Sequence, residues 1–171
     1  MSNFDADFQF LMKNEDPTQA HAITPDAPPG AHVISGINSA AYPSQFAAIA
    51  AMPQADRGPA VENFYQTEFF NKWEAQLSDP VEERILDAMV NEGPVTGVKD
   101  LQTAINSVSG AGTVVVDGGW GPATVAAANA CDQLELVAAI QAVRKARYIA
   151  IVAAHPEDSK YEAGWLARAG E

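Results

Sequence analysis

The chain has 171 residues, with 22 Asp and Glu against 10 Lys and Arg, giving a formal net charge of −12 at pH 7. Its 47% hydrophobic and 19% charged content is that of a globular chain, sized for one average domain or one with a small appendage. The acidity argues against a nucleic-acid binder, whose affinity comes from Lys and Arg on phosphates, and the single Cys131 excludes an internal disulfide.

His21, His32 and His155 are scattered, and the neighbours of Cys131 supply no ligand spacing, so neither a metal nor a cofactor is expected. The most apolar stretch, Leu134 to Ala154, is interrupted by Gln141, Arg144, Lys145 and Arg147, so no membrane insertion is expected. Asp5 and Asp7 stand where a secretory signal carries Lys or Arg. Synthesis in the cytoplasm is the expectation, with delivery elsewhere left to another agent.

In chain order, Ser2 and Asn3 offer a helix cap, and Phe4, Phe8 and Leu11 repeat on one helical face. Glu15 is the next position of that stripe, an acid where the pattern asks for an apolar residue. From Asp16 to Tyr42 the prolines and glycines predict loop or short hairpin, with His32 to Ser35 as one brief strand. Pro43 to Ala51 suits a short helix closed by Pro53. Another begins after Gly58-Pro59 and runs through Phe64, Tyr65, Phe69, Phe70 and Trp73. Asp79 as cap and Pro80 at the first helical position open a helix with Val81, Ile85, Leu86, Met89 and Val90 on its apolar face, stopped by Gly93-Pro94. Helices are expected from Thr96 to Val108, from Pro122, and from Leu134 to Ala154. The Gly-rich stretch Gly110 to Gly121 lies between the first two of these.

Several constellations carry chemistry. A carboxyl such as Glu15, at a helix end on the buried face, is partly desolvated, a condition that suits a general acid. Asp26, and with less weight Asp16, offer the second carboxylate that glycoside hydrolysis requires; the alternative is a helix-end acid satisfying local backbone. Asp87 and Asn91 lie four apart on one helical face. The Asn amide suits a substrate hydroxyl or acetamido group with Asp87 orienting it, or else the pair satisfies backbone at neighbouring helix ends. Tyr65, Phe69, Phe70, Trp73, Trp120 and Trp165 read mainly as core, although sugar rings also stack on such side chains. Asp117-Gly118-Gly119-Trp120-Gly121-Pro122 is a tight turn feeding a helix. Arg144, Lys145 and Arg147 read as a solvated basic face balancing nearby acids.

These pieces fall in a recognisable order. A helix ends Phe10-Leu11-Met12-Lys13-Asn14-Glu15, and a Pro/Gly loop ends Ser35-Gly36-Ile37. Phe64-Tyr65 with Phe69-Phe70-Asn71 follow, then Asp87-Ala88-Met89-Val90-Asn91-Glu92-Gly93-Pro94. Leu101-Gln102, Asp117-Gly118 with Trp120-Gly121-Pro122-Ala123-Thr124, and Gly164-Trp165-Leu166 with Arg168 complete the set. The chain resembles glycoside hydrolase family 108, N-acetylmuramidases of phages, prophages and bacterial secretion loci. The resemblance implies a mainly α, lysozyme-like helical domain with a short β/loop region after the first helix. It divides the chain into a lysozyme-like part, 1–96, and a predicted peptidoglycan-binding part, 97–171, packed as one continuous globular unit.

It also implies a peptidoglycan hydrolase cleaving the β-1,4 bond between N-acetylmuramic acid and N-acetylglucosamine. The implied context is a phage or prophage endolysin, a virion-associated lysozyme or a secretion-system lysozyme, delivered to the wall by a phage particle, a holin or a secretion machine. Glu15 and Asp26 would be catalytic, and Tyr65, Asn91, Asp87 and Trp120 would contact the glycan strand. The family's Glu-Gly-Gly is here Glu15-Asp16-Pro17, Pro29 and Val33 replace a glycine and a threonine, and the loop carries extra residues. The alternative is therefore a catalytically impaired relative, acting as a wall-binding or structural component of a virion or secretion apparatus.

Overall fold

The computed structural model describes residues 4–73 and 76–170. The cap expected at Ser2 and Asn3 and the side chain of Trp73 lie outside the described residues. The described residues group into two compact units, 4–73 and 76–170. The fold is mainly α, with a small sheet directly after the first helix.

In the first unit, α1 (Phe4–Glu15) buries Phe4, Phe8 and Leu11 together with Phe10 and Met12. It stops where Pro17 disfavours helical backbone at the residue before it; Asp16 N–H still donates to Met12 O at 3.0 Å. Strands β1 (Thr24–Asp26), β2 (Ala31–Ile34) and β3 (Ile37–Asn38) form an antiparallel sheet in that order. Ile34 pairs with Ile37, so Ser35-Gly36 is a two-residue hairpin turn. Both its residues have positive φ, 45° and 81°, as the primed turn that matches strand twist demands. Thr24 pairs with Val33 and Asp26 with Ala31, which puts Asp26 at the distal end of the first hairpin.

Helices α2 (Pro43–Ala50) and α3 (Gly58–Tyr65) follow. The helix expected to continue to Trp73 instead widens into a π turn (Gln66–Phe70) before α4 (Asn71–Trp73). Thr67 Oγ1 donates to Asn63 O at 2.8 Å and to Phe64 O at 3.3 Å, drawing carbonyls out of the helical ladder at that point. Leu11, Met12, Ile34, Ile37, Val61 and Tyr65 form the fully enclosed core of this unit.

The second unit is built from α5 (Asp79–Glu92), α6 (Pro94–Ser109), α7 (Pro122–Ala130), α8 (Gln133–Ala154) and α9 (Ser159–Arg168). The boundary expected at 96/97 falls inside α6, and α5 packs with α6 and α8. The cap of α5 is Ser78 and not Asp79, which is the first helical residue; the Ser78 hydroxyl turns instead to Gln133 Oε1. Asp132 caps α8, accepting from Leu134 and Glu135 N–H, both at 3.0 Å. Gly97 lets α5 and α6 meet closely: a Cβ there would lie 2.9 Å from Met89 Cγ and 3.0 Å from Met89 N. The sequence pattern predicts no helix after Ala154; α9, half of whose residues are apolar, follows the break at Pro156. Among the described residues, no helix is long and apolar enough to cross a membrane.

Candidate functional site

In the first unit, Glu15 and Asp16 line a cleft of about 220 Å³ with Pro17, Thr18, Ala22, Thr24, Val33 and Ser35. The end of α1 delivers Glu15 to it, and the β2–β3 turn closes against its carboxyl. A methyl group at Gly36 would overlap Glu15 Oε2 and come within 2.5 Å of the Tyr65 hydroxyl oxygen. Only a glycine at positive φ permits that approach.

Asp16 organises the cleft wall. Its Oδ2 accepts from His21 N–H at 2.8 Å and Ser35 Oγ at 2.7 Å, while Oδ1 accepts from Ala20 N–H and Thr18 Oγ1, both at 3.2 Å. Partial burial pushes the Asp16 carboxyl up, but the Ser35 hydroxyl, the two backbone N–H groups and Thr18 outweigh it and hold the pKa below the usual value. His21 Nδ1 lies 2.8 Å from Ser35 Oγ and 3.5 Å from Asp16 Oδ2. The serine therefore stands between acid and imidazole, so this is a structural clasp and not a nucleophilic triad. Gln19, His21 and Ser35 all have positive φ, 49°, 49° and 45°, which concentrates backbone strain around this wall.

Other site residues named from the sequence are placed differently. Asp26 is exposed and does not line the cleft; its Oδ2 accepts from Asn38 Nδ2 at 2.7 Å. Asp16, held the weaker candidate, is the acid beside Glu15. Tyr65 is buried, and its hydroxyl donates to Ser35 O at 2.7 Å, so it supports the turn from beneath. Phe8, Phe64 and Phe69 pack around its ring.

Asp87 and Asn91 belong to the second unit. Asp87 is buried between two arginines, with Arg144 Nη2 at 2.9 Å and Arg168 Nη2 at 2.8 Å. Arg144, read from sequence as part of a solvated face, is 1% exposed, and its Nε donates to Glu92 Oε1 at 2.7 Å. Burial works against its charge, but Asp87, Tyr148 and Glu92 hold it firmly protonated. Arg147 adds ion pairs to Glu92 and Asp100. Burial raises the Glu92 carboxyl above its usual pKa despite Arg144, and raises the Tyr148 hydroxyl as well. Asn91 is exposed, and its Oδ1 accepts from the Tyr148 hydroxyl.

Trp120 is half-buried in a groove of about 460 Å³ with Val114, Val115, Asp117 and Pro122. Buried Gln102 builds that groove. Its Nε2 donates to Asp117 Oδ1 at 2.9 Å, Gly119 O at 3.1 Å and Thr124 Oγ1 at 3.3 Å, and its Oε1 accepts from Gly118 N–H at 2.9 Å. Asn106 pairs both ways with the Val114 backbone, each bond 2.9 Å. The Gly119 N–H and Gln102 amide hold the Asp117 carboxyl below its usual pKa. Among the described residues, no three His, Cys, Asp or Glu side chains gather as metal ligands do.

The family described as "Predicted Peptidoglycan domain" matches residues 96–170, the region holding this groove. Among solved structures, SagA of Brucella abortus superposes with a TM-score of 0.70, at 20% identity, covering 98% of this chain and 89% of that one. The likeness is one of fold. Among curated proteins, nothing matches.

Proposed function

We propose that the protein is a peptidoglycan hydrolase, an N-acetylmuramidase that cuts the β-1,4 bond between N-acetylmuramic acid and N-acetylglucosamine. The observation that carries the reading is the placement of Glu15 in a cleft beside a second carboxylate whose environment keeps it ionised. Two neighbouring acids with different surroundings are the raw material for assigning acid and stabiliser. Glu15 protonates the leaving oxygen, and Asp16 supplies fixed negative charge to the oxocarbenium-like state. The peptidoglycan match at 96–170 supports the wall as the target, with the Trp120 groove as a holding surface. Delivery by a phage particle, a holin or a secretion machine, as an endolysin, virion or secretion-system enzyme, belongs to the same proposal.

A second reading, a wall-binding relative without hydrolysis, is favoured by the donors that already occupy Asp16 and by the position of Asp26 outside the cleft. Turbidity clearing of purified peptidoglycan and release of reducing ends by wild type and Glu15→Gln test the choice. Hydrolysis lost in the variant supports the first reading. Sedimentation with sacculi but no reducing ends from wild type supports the second, and neither activity removes both.

A further inference from the structure

We propose that a cleft in the second unit, lined by Asn91, Glu92, Thr96, Arg147, Ile151 and Trp165, binds the acetamido group of an N-acetylated hexosamine. The proposal rests on the wall-glycan reading above and adds a further grip on the strand, one that shares no lining residue with the Glu15 cleft or the Trp120 groove. The cleft holds about 310 Å³, within the range of small-ligand sites.

Its chemistry is that of an amide receptor. The Tyr148 hydroxyl donates to Asn91 Oδ1, which leaves the Asn91 Nδ2 donors without a partner among the described residues. Arg147 uses Nε and Nη2 on Asp100 and Glu92, leaves Nη1 without a partner among the described residues, and is 34% exposed. These two side chains donate to a carbonyl oxygen. Glu92 Oε2 lies 3.3 Å from Arg147 Nε but accepts no hydrogen bond among the described residues, and so offers the acceptor an amide N–H needs. Trp165, stacked on Tyr148 at 5.4 Å, and Ile151 form an apolar wall for a methyl group.

Charge selects among ligands. Asp87, Glu92 and Asp100 are matched by Arg144, Arg147 and Arg168, so the cluster behind the cleft is balanced. A neutral amide enters without leaving a charge uncompensated, whereas the ammonium of a deacetylated sugar meets the open guanidinium of Arg147.

The test titrates the full chain with an N-acetylglucosamine tetramer and with its fully deacetylated counterpart, by calorimetry. Expected are binding of the acetylated tetramer, at least tenfold weaker binding of the deacetylated one, and at least tenfold loss in Asn91→Ala and in Thr96→Val. Two variants at exposed or half-buried positions guard against a folding artefact, and melting temperature reports on each. Equal binding of the two tetramers, or full affinity in both cleft variants, overturns the assignment. If sacculi still sediment the chain while the tetramer fails to bind, this inference falls and the wall reading stands. If sacculi do not sediment it, both fall.

Discussion

The Ser35 hydroxyl donates to Asp16 Oδ2 at 2.7 Å, tying the tightest turn of the sheet to the residue that follows α1. Because the folded-state pKa of Asp16 is depressed, its contribution to stability is complete at neutral pH and disappears as pH falls through that value. Asp16→Asn is expected to lose about 1 kcal/mol at pH 7, solvent at the cleft mouth screening part of the effect. The gap in melting temperature between the two proteins should narrow as pH falls from the usual Asp pKa of about 3.9 through the lower folded-state value. A gap that is constant across that range contradicts the assignment.

Gly36 gives a steric prediction. An alanine there meets Glu15 Oε2 and the Tyr65 hydroxyl and must also hold a φ of 81°. Gly36→Ala should destabilise the chain by about 1–3 kcal/mol in urea titration and, on the hydrolase reading, remove hydrolysis, since the displaced group is the carboxyl of Glu15.

On the hydrolase reading, Glu15 and Asp26 separate cleanly in a clearing assay. Glu15→Gln should lower the rate by about 10²–10⁴, the range for loss of a general acid. Asp26→Asn should leave it at the wild-type level, because Asp26 faces Asn38 outside the cleft. A large loss in Asp26→Asn would return that residue to the mechanism.

Arg144 is the residue whose removal should cost most. Arg144→Ala leaves Asp87 and Glu92 buried with one guanidinium fewer, an expected loss of about 3–5 kcal/mol. Arg144→Met fills the volume but also leaves the acids uncompensated, so it should recover only the packing part. Chemical denaturation of the two variants side by side measures both terms.

Gln102→Ala breaks four hydrogen bonds that hold residues 117–119 and Thr124. Amide exchange at Gly118 should accelerate in the variant, while the protection of α8 stays as it was. Uniform acceleration throughout would mean that Gln102 supports the whole unit and not its loop.

What the sequence disclosed follows from local physics. The stripe Phe4, Phe8, Leu11 is buried as periodicity required, and Glu15 ends it. Pro80, Gly93 and Gly110 mark helix ends where proline geometry and positive φ belong. The strand expected at His32 to Ser35 lies one residue earlier, at Ala31–Ile34. The clasp of Asp16, His21 and Ser35 was not legible, since three non-glycine residues at positive φ leave no mark in composition. The burial of Arg144 was equally hidden: its acidic partners Asp87 and Glu92 come from a helix far upstream, and a basic run reads as a solvated face until those partners arrive. Asp87 was for the same reason assigned to substrate when it belongs to the protein's own arginines.

The absent side chain at Gly97 makes one further experiment possible. Because even a single carbon there presses on the main chain of Met89, graded substitution at 97 acts as a wedge that prises two helices apart by controlled amounts. None of the cleft-lining side chains is altered by it, so any change in sugar affinity along such a series would report how rigidly the helical frame must hold its receptor.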